Sequence, residues 1–203
     1  MANASRKRLP PAGMIVLGLA LPVCIALTCS PANALEYYEI DPARTSSFFE
    51  YKQWGLSRQR ADFGHSSGFL AVDGTAKVVD IRIEIDAASL SSGNEVFDEM
   101  LHSEEFFDVT NYPTIAFQSS RLQFDQERLL EVEGLLTIKD ITRPISLQVF
   151  DYRCGVTNVD GKRSCGAEAT GSLSRSDFKM SRYVPFVSDE VHLSIFLEAV
   201  ATE

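Results

Sequence analysis

The chain has 203 residues, 45% of them hydrophobic and 23% charged, with 28 acidic against 19 basic side chains and a formal net charge of −9. Such a surface repels phosphate backbones and anionic headgroups, which argues against nucleic acid as a partner and against peripheral attachment to an anionic membrane. The length suits a single domain.

The first 34 residues are predicted to be a cleaved secretory signal. Arg6, Lys7 and Arg8 form a basic start, Met14 to Leu27 an apolar stretch, and Ala32-Asn33-Ala34 a small-x-small site before Leu35. The apolar stretch is shorter than the roughly 20 residues a membrane-spanning helix needs, and Pro22 interrupts it. The residues preceding Cys24 and Cys29 fit a lipidation motif poorly, which makes lipid attachment there the lesser alternative. Removing 34 residues and their three basic charges leaves residues 35–203 as one domain of 169 residues, with 16 basic against 28 acidic side chains and a net charge of −12.

Strand candidates follow at 37–41, 47–54, 65–73, 78–86, 114–125, 128–138, 145–154, 164–173 and 191–200, several alternating cleanly with period two. Ile81, Ile83 and Ile85 alternate with Arg82, Glu84 and Asp86, while Val191, Leu193, Ile195 and Leu197 share one face. The period changes over residues 94–107, where Val96, Phe97, Met100 and Leu101 fall at helical spacing. Val132, Gly134, Leu136 and Ile138 precede a polar turn, Lys139 to Arg143, and Ile145, Leu147 and Val149 follow it. Pro144 closes that turn, and its fixed φ and missing N–H suit the first residue of a strand. A second irregular stretch, 175–189, carries Phe178, Met180, Tyr183 and Phe186 and is expected to cover the same opening as the helix or the opposite one. Many antiparallel strands with one apolar face and short turns argue for a sandwich or a closed barrel.

Signal removal leaves two cysteines, Cys154 and Cys165. A four-residue loop at Asn158 to Gly161 would set them directly opposite each other across a hairpin, at the separation a disulfide tolerates. A two-residue Asp160-Gly161 turn would shift the pairing by two. A structural disulfide is expected in an oxidising compartment, in preference to a redox or metal pair, which lacks C-x-x-C spacing.

The stretch GLLTIKDITRPISLQV at 134–149 becomes specific beside HSEEFFDVTNYPTIAFQSS at 102–120. With Tyr38-Glu39-Ile40-Asp41, Trp54-Gly55-x-Ser57, Ile85-Asp86 with Ser89-Leu90, and Ser188-Asp189-Glu190-Val191 in the same order, the chain resembles the YceI family of periplasmic, lipocalin-like polyisoprenoid-binding proteins from about Tyr38 to Ala199. The resemblance implies an all-β fold, a single antiparallel lipocalin-like barrel of about eight strands, with short helical segments covering an opening. It implies export to the periplasm, a long cavity for an isoprenoid lipid or quinone as ligand without any cofactor, and a plausible homodimer. In that family the position matching Gln53, two before the Gly-x-Ser motif, is commonly an inward histidine. The amide here is read either as a head-group contact or as a satisfied buried side chain.

Reactive chemistry is sparse. His65, His102 and His192 belong to three different elements and to no metal-binding motif, and neither a nucleophile elbow nor a phosphate-binding loop is present. The expectation is a binding protein and not an enzyme. Thirteen Phe, six Tyr and one Trp are more aromatic surface than a narrow eight-stranded interior needs, which favours a cavity. Parity along the strands predicts a lumen lined by Phe49, Tyr51, Gln53, Ile83, Ile85, Phe117, Leu136, Ile138 and Leu147, because a one-residue slip would turn each apolar set into water. The helical stripe and the FFD motif place Phe97, Met100, Leu101, Phe106 and Phe107 at its opening, where a flexible Met and several rings can adapt to a guest.

Burying one isoprene unit contributes on the order of 3 to 4 kcal/mol at roughly 0.8 per carbon. Association and ordering cost about 4 to 15 kcal/mol. A few units offset that cost, so a tail can bind with little head-group selectivity. The competing reading is a stress-related structural or interaction protein whose core is filled by its own side chains; an isoprenoid-modifying or esterase-like enzyme ranks last.

Overall fold

Period-two alternation becomes eleven β-strands in the computed structural model, which describes residues 35–157 and 161–202. The predicted signal with Cys24 and Cys29, and residues 158–160 of the predicted hairpin turn, lie outside the described residues. The strands are β1 (Glu36–Ile40), β2 (Ser46–Gln53), β3 (Ser57–Phe63), β4 (Ser66–Val72), β5 (Val78–Asp86), β6 (Leu90–Ser91), β7 (Thr114–Asp125), β8 (Arg128–Ile138), β9 (Ile141–Thr157), β10 (Arg163–Ser174) and β11 (Glu190–Ala201). Among the described residues a single α-helix, α1 (Glu95–His102), stands between β6 and β7.

These pieces make eight staves. β1 and β2 run the same way along β11, with Ile40 opposite Ala199 and Ser46 opposite Phe196, so they are one stave interrupted at 41–45. β3 pairs with β2 and β4 with β1, which makes β3–β4 a second stave broken at Gly64-His65. β5 pairs with β4 and β6 with β3, with the turn Ala87–Ser89 between them. From β7 to β11 each strand pairs with the next, all antiparallel, and the pairing of β11 with β1 and β2 closes the ring. Closure leaves short unpaired edges only, among them the first half of β3 and the first half of β9.

The interior has two storeys. Towards one rim the barrel is filled by its own side chains, among them Tyr38, Leu70, Val72, Val78, Leu129, Val132, Val149 and Ala199. Tyr152 adds a polar clasp there, its hydroxyl donating to the Ala76 carbonyl and accepting from the Val78 N–H, both at 3.1 Å. Towards the other rim the staves stand around a cavity.

Several elements depart from the pattern read in the sequence. β3 is absent from it: Arg58, Arg60 and Asp62 face outwards, and Ala61 and Phe63 alone supply a buried apolar side. The polar turn is shorter than Lys139 to Arg143. Ile138 already pairs with Ile141 across Lys139-Asp140, with Lys139 at φ 59°. Pro144 therefore lies inside β9, opposite Leu135, in the stretch before pairing with β10 begins at Gln148. There β9 has a neighbour on one side only, the setting in which a proline is tolerated.

Cys154 and Cys165 are bonded and directly opposed, although not through a four-residue loop. Thr157 pairs with Arg163, one place further on than expected, and Gly155 at φ 75° takes up the extra residue as a bulge that restores the opposition.

Candidate functional site

A cavity of about 430 Å³ occupies the second storey. All fourteen residues singled out from the sequence stand on its wall. β2 supplies Phe49, Tyr51 and Gln53, which alternate inwards. β5 adds Ile83 and Ile85, β7 Phe117, β8 Leu136 and Ile138, and β9 Leu147. The mouth cover contributes Phe97, Met100, Leu101, Phe106 and Phe107.

The cover is built from local rules. Asn94 caps α1, its side-chain oxygen accepting from the N–H groups of Val96 and Phe97. Asp98 fixes the helix to the end of β6, accepting from the Ser92 N–H and hydroxyl at 2.6 Å each and from the Ser91 hydroxyl at 2.9 Å. Those bonds, the Ser92 hydroxyl foremost, hold the Asp98 carboxyl below its ordinary pKa. The FFD motif is a reversal: Asp108 sits at φ 49°, and its carboxylate accepts from the Asn111 amide at 2.9 and 3.1 Å. The reversal turns Phe106 and Phe107 inwards, and the Phe107 ring lies 5.9 Å from Phe49 and 5.8 Å from Phe63.

The stretch 175–189 covers the same mouth and not the opposite one. Met180, Tyr183, Phe186 and Val187 reach the cavity, whereas Phe178 is buried elsewhere in the core. Five ties hold this stretch to the rest of the rim. Trp54 donates its backbone N–H to the Phe186 carbonyl at 2.7 Å, and its ring lies 4.9 Å from that of Phe186. Ser188 is bonded to the backbone of Lys52, and Gln53 bridges to Val187. Arg182 pairs with Glu105, and Tyr183 stacks on Phe106 at 6.3 Å.

Arg175 organises the whole stretch from within. It is 6% exposed, and its guanidinium donates to four backbone carbonyls: Ser188 at 2.9 Å, Met180 at 2.7 Å, and Arg182 and Val187 at 3.2 Å each. Burial lowers its pKa from the ordinary arginine value, against the opposing pull of Asp189 and Tyr51. Burial likewise raises the Tyr51 phenol, which is neutral in the wall.

On their outer side the rim and its cover stay apolar and wet: Leu56 is 92% exposed, Val96 of α1 76% and Trp54 65%. Elsewhere the His65 backbone N–H donates to the Ser89 hydroxyl at 3.1 Å, His102 points a ring nitrogen at the Leu90 carbonyl at 3.1 Å, and His192 is exposed on β11. Among the described residues no three metal-binding side chains cluster, and no helix is long and apolar enough to span a membrane.

Sequence reading missed Ile115, Ile145 and Leu173 on the wall, all of which obey the same parity, and Thr45, Ser47, Ser66 and Arg175, which do not look like lumen residues. A polar residue on an inward position carries no apolar signal. Only the closed ladder reveals which way it faces.

Comparison with known proteins agrees with this geometry. A family model described as "YceI-like domain" matches residues 38–199. A UPF0312 protein of Enterobacter sp. (strain 638) is 30% identical over 91% of this chain and 96% of its own, and Protein YceI of Shigella flexneri is 28% identical over 80% and 86%. The Campylobacter jejuni YceI crystal structure superposes with a TM-score of 0.64 at 26% identity, covering 75% of this chain and 90% of its own. A Saccharophagus degradans domain described as polyisoprenoid-binding shares the fold at a TM-score of 0.62 and 14% identity, over 83% of this chain and all of its own. The chain belongs to the YceI-like domain family.

Proposed function

We propose that the protein binds a long-chain polyisoprenoid or a similar amphiphile, such as a quinone, inside the barrel and carries it through the periplasm. The observation behind the reading is the cavity itself: one apolar chamber of about 430 Å³, walled by aliphatic and aromatic side chains and covered by a helix and a loop. Its size and lining suit a slender apolar guest. The Saccharophagus degradans neighbour, described as polyisoprenoid-binding, supports the same ligand class. The signal pattern in residues 1–34 and the Cys154–Cys165 bond support an oxidising, exported setting.

The chamber weighs against a core filled wholly by its own side chains, which applies to one storey only. Mass spectrometry of organic extracts from natively purified protein tests the proposal. A consistent isoprenoid or quinone in the extract is the expected result. Its absence, together with failure to take up added prenyl lipid, would return the chain to the interaction-protein reading.

A further inference from the structure

The inward side of β2 reads Ser47, Phe49, Tyr51, Gln53, and its first member is out of character. Ser47 is 7% exposed, and its hydroxyl is a buried polar atom without a hydrogen-bond partner. Its neighbours across the two ladders are Phe63 and Ile195, both apolar. The nearest polar residue along the strand gives no help. Thr45 commits its hydroxyl to the backbone of Glu198, donating to the carbonyl and accepting from the N–H at 3.2 Å each. Alanine would pack equally well at position 47 and would not carry the cost of an unsatisfied hydroxyl.

Along β2, Ser47 stands at the end of the chamber wall away from Gln53, and beyond it the stave continues into Ile40 and Tyr38 of the filled storey, which makes this end of the strand the floor. Six residues of strand separate it from Gln53 at the mouth, about 20 Å at roughly 3.3 Å per residue. Ser66, also buried, opens β4 just past the break that follows Phe63 and faces the same chamber. The breaks in the first two staves thus bring hydroxyls to the level where the filled storey begins.

We propose that this floor is a head-group subsite, in which the Ser47 hydroxyl bonds an uncharged oxygen of an amphiphile that enters polar end first: an alcohol, a phenol or a quinone carbonyl. The inference rests on the carrier reading above and adds orientation and head-group class to it. A serine hydroxyl both donates and accepts, so it serves all three oxygens. The head group is uncharged because the one charged residue on the wall, Arg175, stands at the mouth with its guanidinium engaged by carbonyls. A carboxylate or phosphate at the floor would be buried without a countercharge. The tail then fills the apolar wall upwards and meets the rings of the cover.

The test uses delipidated mature protein and three probes of equal tail length: geranylgeraniol, the matching hydrocarbon without oxygen, and geranylgeranyl phosphate. Trp54 is the sole tryptophan and stands at the mouth, so its fluorescence reads occupancy. Wild type should bind the alcohol roughly tenfold tighter than the hydrocarbon, the worth of one buried hydrogen bond. Ser47→Ala should fold, keep the hydrocarbon's affinity and lose the preference for the alcohol. An alcohol preference that survives in Ser47→Ala, equal binding of the two by wild type, or tighter binding of the phosphate than of the alcohol would each overturn the subsite while leaving the carrier intact. If wild type binds none of the probes, the carrier reading falls and the subsite falls with it.

Discussion

Phe117 packs its ring against the bare α-carbon of Gly134, diagonally across the β7–β8 ladder: a methyl built on Gly134 would overlap the ring's Cε2 and Cζ and stand 2.6 Å from the Gln118 carbonyl. The glycine of the GLLTIKD motif is therefore a packing requirement of the chamber wall. Gly134→Ala should destabilise by about 1 to 3 kcal/mol, the usual cost of overpacking. Phe117→Leu should recover the part of that loss owed to the ring when combined with it, while the Gln118 carbonyl keeps the rest. Denaturant unfolding of the two single variants and the double variant gives the coupling, and simple additivity would show that the ring and the glycine act independently.

Wall and cover should respond differently to a buried charge. Leu136→Asp and Ile83→Asp place a carboxylate inside the staves and should abolish both binding and folding. Met100→Asp, on α1, should weaken lipid uptake and leave the barrel's thermal transition nearly unchanged. Unaltered affinity in a folded Met100→Asp protein would mean that α1 is only a connection between β6 and β7.

Acid should loosen the cover through Asp98. Its carboxyl is held below the ordinary value by Ser92 and Ser91, so its contribution is present above the unfolded-state pKa and fades as pH falls through the lower folded-state one. Ligand release, followed by Trp54 fluorescence, should quicken on acidification through and below the carboxylate range. Asp98→Asn should release fast already at neutral pH and lose that acid dependence. The group is near the surface, so raised salt and solvent screening keep the effect modest.

Removing the Cys154–Cys165 bond by double substitution to alanine should cost about 3 kcal/mol, the loop-closure figure for a loop of this length. Prenyl-lipid affinity should hold, because the bond joins the end of β9 to the start of β10, beside the filled storey. Chemical denaturation and a binding titration on the same samples separate the two quantities.

Arg175→Met should cost on the order of 3 kcal/mol, since it strands buried carbonyls that the guanidinium now satisfies. The damage should centre on 175–189: hydrogen exchange ought to rise at Met180 to Ser188 and stay slow in β7 and β8. Uniform acceleration across the barrel would place Arg175 in the global core instead.

The barrel was legible in sequence wherever alternation was apolar on one side. Ile83 and Ile85, Leu136 and Ile138, and Phe49 and Tyr51 face the chamber as their parity demands. β3 was not legible, because three outward charges leave it only Ala61 and Phe63 as apolar marks. The breaks at 41–45 and Gly64-His65 escaped as well. An interrupted stave looks like two unrelated strands until the ladder shows both lying along one neighbour. Arg175 reads as a surface charge in the chain and is buried in the fold, since the carbonyls that take it up come from residues 180 to 188 and face it only after the loop has closed.

The two-storey interior separates inheritance from adaptation. Tyr38, Val72, Val78 and Ala199 form a tightly packed base in which nearly any change is felt throughout the molecule. Above it, inward side chains of the chamber wall border open volume on one side and are packed on the others. A lineage could therefore retune the guest at Ile83, Ile138 or Leu147 at less cost to foldability than in the base, which keeps one shape beneath a changing chamber.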